Sequence, residues 1–151
     1  MSELRRASVA GQFYAGTKEK LIQELEESFL NNRGVGMLPK IKKGDEKLKG
    51  VVVPHAGYLY SGAIAANSYY YLSKNGFADT FVILGPNHTG MGSGVSIMIE
   101  KSWETPLGIV PINNTLARAG NSDIKFILNL LEQHSLQKMK TLKKKEEQDK
   151  E

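Results

Sequence analysis

The chain has 151 residues, 40% hydrophobic and 24% charged, with a net charge of +4 and no cysteine. That is one domain's length, enough for a core, with the composition of an ordinary globular protein. The lack of cysteine excludes disulfides, thiolate ligands and cysteine nucleophiles, and fits a reducing, cytoplasmic setting. No apolar run reaches about 18 residues, so no membrane span is expected. The stretch from Met1 to Ala10 has two arginines but no apolar segment, so it does not read as a secretory signal.

From Ser8 to Gly16 the glycine-broken sequence predicts an extended opening segment. Thr17 is placed to cap a following helix, whose apolar stripe is Leu21, Ile22, Leu25 and Phe29. Lys20 and Glu24 face each other on it at i,i+4. The run Asn31 to Gly36 ends that helix, and Pro39 to Lys49 reads as a lysine-rich surface loop. Gly50 to Val53 is a β-branched run of the kind buried on both faces in a parallel sheet. Ser61 is the expected cap of a second helix, which Gly76 ends. Its start, Ser61 to Ala66, is rich in small residues and allows close packing. Tyr69, Tyr70 and Tyr71 read as packing residues on that helix.

Phe81 to Leu84 is the second expected buried strand. Strand, helix and strand in this order form a βαβ unit. Val95 to Ile99 and Leu107 to Ile112 predict two more strands, with a turn signal from Glu104 to Gly108. The fold class is therefore α/β, a mostly parallel or mixed sheet flanked by helices. Residues 1–120 are expected to form that domain and 121–151 a divergent helix with a charged tail. The tail, Lys138 to Glu151, holds six lysines and four acidic residues, half of the chain's net charge. No basic patch interleaved with aromatics occurs in the body, so a nucleic-acid partner is not expected.

Two short stretches repeat one pattern. Val51-Val52-Val53-Pro54-His55 and Val82-Ile83-Leu84-Gly85-Pro86-Asn87-His88 each run a strand into a proline and then a histidine. In open α/β sheets, ligands bind outside the carboxyl ends of the strands. Neighbouring strands lie about 4.8 Å apart, so two imidazoles from adjacent exits can converge on one ion. Neutral imidazoles suit Fe(II) or Zn²⁺, and two histidines with one carboxylate form a common iron site. His55 and His88 are therefore the candidate metal ligands. Tyr58 and Tyr60 follow His55, and Trp103 lies further on; these could line a pocket. Asn87 could donate a hydrogen bond to a bound oxygen ligand. The same cleft could instead take an anionic or aromatic ligand without catalysis. His134 reads as an ordinary helix-surface residue. The glycine-rich Gly90 to Gly94 lacks the Lys-Ser/Thr of a phosphate-binding loop.

Four segments in order carry a resemblance. They are Val9-Ala10-Gly11-Gln12-Phe13-Tyr14, Pro54-His55-Ala56-Gly57-Tyr58-Leu59-Tyr60-Ser61-Gly62, Ile83-Leu84-Gly85-Pro86-Asn87-His88 and Trp103-Glu104-Thr105-Pro106-Leu107-Gly108. From about Arg6 to Gly120 the chain resembles the Memo family, which is similar to the class III extradiol dioxygenases. Those enzymes hold non-haem Fe(II) with two histidines and a glutamate. The resemblance puts His55 and His88 on the two histidine positions and Phe13 on an aromatic position at the pocket edge. It implies Fe(II) or another divalent metal as cofactor. It also implies a protein partner of the AMMECR1-like or radical SAM kind. Memo proteins usually lack the glutamate, so the pocket is expected to be vestigial, with metal-dependent dioxygenase-type activity as the alternative.

After Gly120 the pattern departs. Gln133-His134-Ser135-Leu136-Gln137 faintly echoes a family motif, and the later family motifs are absent. The lysine- and glutamate-rich ending predicts a truncated or frameshifted product. Such a half domain would leave apolar sheet surface uncovered. The chain alone is then expected to be marginally stable, or to need a partner that covers it.

Overall fold

The structure is a computed structural model that describes residues 4–41, 48–74, 76, 78–92, 96–99 and 101–119. It divides into two units: residues 1–88 with 101–111, and residues 89–100 with 112–151. The first unit carries all the named elements.

Helix α1 runs over Lys18–Leu30. Thr17 precedes it with extended backbone, as a cap should, but its side chain makes no capping hydrogen bond. The Thr17 carbonyl instead opens the ladder by accepting from the Leu21 N–H at 2.9 Å. Leu21 is the most buried residue of the expected stripe, at 4% exposure, while Ile22 is exposed. The helix closes through the Asn31 N–H, which donates to the Glu27 carbonyl at 2.9 Å. Gly36, at φ +75, then donates back to the Phe29 carbonyl at 2.9 Å. Its left-handed backbone is open to glycine at little cost.

Helix α2 spans Tyr58–Lys74 and begins three residues before the expected cap. Ser61 therefore sits in the first turn. Its buried hydroxyl donates to the Ala56 carbonyl at 2.9 Å and also reaches the Gly57 carbonyl at 3.3 Å. The helix wins over the cap here because the Gly57 carbonyl already accepts from the Tyr60 and Ser61 amides. Gly76, at φ +97, lies just beyond the end, as expected.

The small residues of α2 let α1 close against it. A Cβ added at Gly62 would lie 2.5 Å from the Ser28 hydroxyl. One added at Gly34 would lie 2.5 Å from the Ser28 carbonyl and 3.3 Å from that of Ala63. The Asn67 side-chain amide bridges the same junction, donating to the carbonyls of Arg33 and Ala63 at 3.1 Å each. Tyr70 and Tyr71 meet edge to face, with the Lys74 ammonium 4.4 Å from the Tyr70 ring centre. Tyr69 and Tyr71 are nonetheless exposed, so only Tyr70 is half-buried of the three tyrosines expected to pack.

The sheet has three strands in the order β1 (Leu4–Arg5), β2 (Ser102–Thr105) and β3 (Gly108–Pro111). Strand β1 pairs with β2 in parallel, and β2 with β3 antiparallel. The fold is thus α/β with a mixed sheet and helices. The turn expected between Glu104 and Gly108 is present, with Thr105 opposite Gly108 across Pro106 and Leu107. Gly108 takes φ +138 there, where a side chain would be strained. The third expected strand is displaced. Residues 96–99 have no regular structure, Val95 lies outside the described residues, and β3 pairs with 102–105 instead. The two-residue loop pairs β3 with the segment that immediately precedes it in the chain.

The two apolar runs depart most from expectation. Neither 50–53 nor 81–84 belongs to a strand. Val52 is 92% exposed and Ile83 84%. A strand needs a neighbour that completes a ladder, and the described sheet, β1-β2-β3, includes neither run. The order around α2 is therefore irregular segment, helix, irregular segment, in place of the expected βαβ unit.

In the second unit, residues 114–119 form a short helical stretch. The Asn113 side-chain oxygen caps it by accepting from the Leu116 N–H at 3.0 Å. Ala117 is buried there. The helix expected over Asp123 to Glu151, His134 and the charged tail lie outside the described residues. No described helix is long and apolar enough to cross a membrane.

Candidate functional site: the paired histidines

His55 and His88 meet. Their ring centres lie 5.1 Å apart, with the planes inclined by 36°. Both histidines are exposed. The convergence thus holds although the runs that deliver them are not strands.

His55 is positioned by the first turn of α2. The Ser61 hydroxyl holds the carbonyl of the next residue, Ala56. Further back, the Val52 carbonyl accepts from the Ser68 hydroxyl at 2.9 Å, which ties the run before His55 to α2. Gly57 is then pressed against the opening segment. The Tyr58 N–H donates to the Phe13 carbonyl at 2.8 Å, and a Cβ on Gly57 would come within 3.1 Å of that oxygen. The first two motifs of the sequence are therefore joined backbone to backbone. Phe13 itself is held by a tight turn, donating to the Val9 carbonyl at 3.0 Å. Gly11 makes that turn at φ +81 and donates to the Tyr14 carbonyl at 2.7 Å. Phe13 stays 48% exposed.

Tyr58 faces inward, with its ring centre 5.8 Å from that of Tyr14. Burial raises the pKa of its phenol above 10.0, helped by Tyr69, Tyr14 and Glu24. The hydroxyl therefore keeps its proton through the neutral range. Glu24 anchors this group, accepting from the Ala15 N–H at 2.7 Å. The sequence assigned Glu24 only to Lys20, and it passed over Tyr14. The available signal was position: Glu24 lies three residues after Leu21, on the side of α1 that packs.

Asn87 immediately precedes His88 and is exposed. Trp103 stands on β2 opposite Arg5, whose guanidinium lies 4.4 Å over the ring. That stacking covers one face of the indole with a cation. A separate cavity of about 370 Å³, lined by Asn31, Asn32, Arg33, Leu59, Tyr60, Ala63 and Ile64, contains neither histidine. Tyr60 thus lines a cavity, though a different one.

The donor set can be tested against a metal. Bonds of about 2.1 Å from one ion to two imidazoles put the ring centres about 5 Å apart at tetrahedral angles. The observed separation matches. Two imidazoles are half of a tetrahedral shell, and no cluster of three or more His, Cys, Asp or Glu side chains occurs among the described residues. The separation is compatible with two ligands of one ion and is equally an ordinary distance for two rings in contact.

Comparison with known proteins agrees with the motif pattern. The sequence model described as "Memo-like protein" matches residues 5–147. A MEMO1 family protein of Sulfurisphaera tokodaii is 47% identical over 116 residues, covering 76% of this chain and 41% of the relative. One from Methanobrevibacter smithii gives the same figures. One from Methanothermobacter thermautotrophicus is 48% identical, covering 77% of this chain and 42% of the relative. The chain thus spans about two fifths of the length of these relatives. No solved structure matches the chain significantly. The four motifs, the matched residues and the identity over most of its length establish that the chain belongs to the Memo family.

Proposed function

We propose that this chain supplies the two-histidine wall of a metal-binding pocket, with His55 and His88 as ligands to Fe(II) or another divalent cation. The observation that carries this reading is the 5.1 Å approach of the two rings at the ends of separate chain segments. Sequence distance does not bring side chains 33 positions apart together; the pairing of Phe13 with Tyr58 and the anchoring of Ala56 support a held geometry on the His55 side.

A bound metal would supply Lewis acidity and, if redox-active, dioxygenase-type chemistry. The chain's own residues do the rest. Phe13 gives an apolar edge, and Tyr58 buttresses the loop that carries His55. Asn87 stands next to His88, where its amide is a suitable donor to an oxygen ligand. A cytoplasmic location suits an exposed imidazole pair and a chain without cysteine. An AMMECR1-like or radical SAM protein is the partner class that the family association supports.

The test is Co(II) titration of the purified chain, read by visible absorption and by metal analysis after desalting. One equivalent should bind weakly, with micromolar to millimolar affinity. His55→Ala and His88→Ala should each abolish binding while far-UV circular dichroism stays unchanged. Binding that survives both substitutions would overturn the reading.

The exposed half-bare Phe13 edge favours a second reading, in which the cleft takes an aromatic anion without a metal. Titration with benzoate or catechol under chelator, followed by histidine NMR shifts, separates the two.

A further inference from the structure

We infer that the Ser8 hydroxyl is a phosphate acceptor for an arginine-directed serine kinase, and that the stacking of Arg5 on Trp103 limits its recognition. Neither histidine takes part, so this site and the metal reading can fail separately.

The local sequence is Leu4-Arg5-Arg6-Ala7-Ser8-Val9, with arginines three and two residues before the serine and an apolar residue after it. Kinases of that class hold such arginines in carboxylate-lined pockets, through the paired donors of the guanidinium. No other serine of the chain has an arginine three residues before it. No acidic residue occurs from Leu4 to Thr17 to compete for the two arginines within the segment. Ser8 lies in a turn closed by the Ala10 N–H, which donates to the Ala7 carbonyl at 3.2 Å. Ser8 and Arg6 are both exposed, and so is Val9. By contrast, Ser61 and Ser73 are buried, and the Ser28 and Ser68 hydroxyls donate to the carbonyls of Glu24 and Val52.

Arg5 is the part already engaged. Its backbone pairs opposite Trp103, and its guanidinium stacks 4.4 Å from the ring centre. A kinase that grips Arg5 must first lift it from the indole. Both partners are exposed, so the loss is that of a surface cation–π contact, about two- to fivefold in kcat/KM. In the transfer, the Ser8 Oγ bonds to the γ-phosphorus of ATP as the bond from that phosphorus to the β–γ bridging oxygen breaks. ADP leaves, and the hydroxyl proton passes to the catalytic aspartate of the kinase. The product adds a charge of about −2 to the turn whose Val9 carbonyl accepts from the Phe13 N–H at 3.0 Å. It also sets a phosphate three residues from Arg5, a stronger partner for the guanidinium than the indole face.

The experiment incubates the full chain with Mg²⁺, ATP and the catalytic subunit of cyclic-AMP-dependent protein kinase. The expected result is one phosphate per chain, located at Ser8 by tandem mass spectrometry and absent from Ser8→Ala. Arg5→Ala with Arg6→Ala should lower kcat/KM at least about tenfold. Trp103→Leu, which frees Arg5, should raise it about two- to fivefold with far-UV circular dichroism unchanged. Trp103 is the only tryptophan, so the wild-type chain gives a second readout of the stack. Its emission should shift when Ser8 is phosphorylated and Arg5 is drawn away. Where the Trp103 variant loses its circular dichroism, that emission alone decides. The inference is overturned by any of four outcomes. These are no phosphate or phosphate at another residue, a rate indifferent to the two arginines, a folded Trp103→Leu chain with no gain in rate, or Trp103 emission that phosphorylation leaves unchanged.

Discussion

Helices α1 and α2 close on one another although α1 is rich in charged residues, whereas the wholly apolar runs 51–53 and 81–84 that lead to the histidines stay open. In α1 and α2 the interior backbone amides find their partners four residues away, so the ladder is completed within the segment itself. Their seam then needs only small side chains, which Gly62 and Ala66 provide. The runs 51–53 and 81–84 have no such local solution. A ladder for them would need another segment, and Val52 and Ile83 are largely exposed. Local order is thus sequence-encoded at short range for one region and left irregular in the other.

That contrast breaks most sharply at Gly34. An added Cβ meets three backbone carbonyls, of Ser28, Phe29 and Ala63, which cannot rotate away. Gly34→Ala should cost about 2–3 kcal/mol by urea denaturation followed at 222 nm, in the range of overpacked cores. Gly62→Ala should cost less, because its main obstacle is the Ser28 hydroxyl, and because alanine gains up to about 1 kcal/mol in helix propensity. Equal costs would show that the seam is softer than the geometry implies. Leu21→Ala, at the most buried leucine, should cost about 2 kcal/mol, the low end for core leucines, since few residues around it are deeply buried.

A pH effect sharpens the picture of the Tyr14–Tyr58 contact. The folded Tyr58 phenol has a pKa above its unfolded value of 10.0. The folded state therefore holds the proton more tightly, and the stabilisation is complete below pH 10 and lost as pH rises through the folded value. Stability should fall more steeply above pH 10 in the wild type than in Tyr58→Phe. Identical slopes would place the hydroxyl in solvent.

Two small effects complete the comparison. Thr17→Ala should cost under about 0.5 kcal/mol, below the usual value of about 1 for a cap, because the Thr17 side chain makes no capping bond. Ile83→Lys should leave the stability of the isolated chain within about 0.5 kcal/mol, as for other exposed positions. A large loss there would mean that the run is already covered.

The legible parts of this molecule are those set within a few residues. Helix α1 was readable from the Leu21 stripe and the Asn31–Gly36 ending, and the β2–β3 turn from Thr105-Pro106-Leu107-Gly108. The start of α2 was not, because Gly57 and Ala56 compete for Ser61 through contacts that depend on Phe13. The convergence of His55 and His88 was readable from their repeated proline context. The route to it was misread, since parallel strand exits were expected and irregular segments do the work. Tyr14 and Glu24 escaped notice because their roles exist only once α1 and α2 are packed.

The sequence by itself determined the helices, the hairpin, the family and the two imidazoles, since each rests on local hydrogen bonding or on side-chain type. Tertiary structure alone decided that Phe13 anchors Tyr58, that Arg5 covers Trp103, and that the valine-rich runs stay open. Those outcomes depend on partners remote in the chain, and a sheet ladder, unlike a helix, cannot form within one short run.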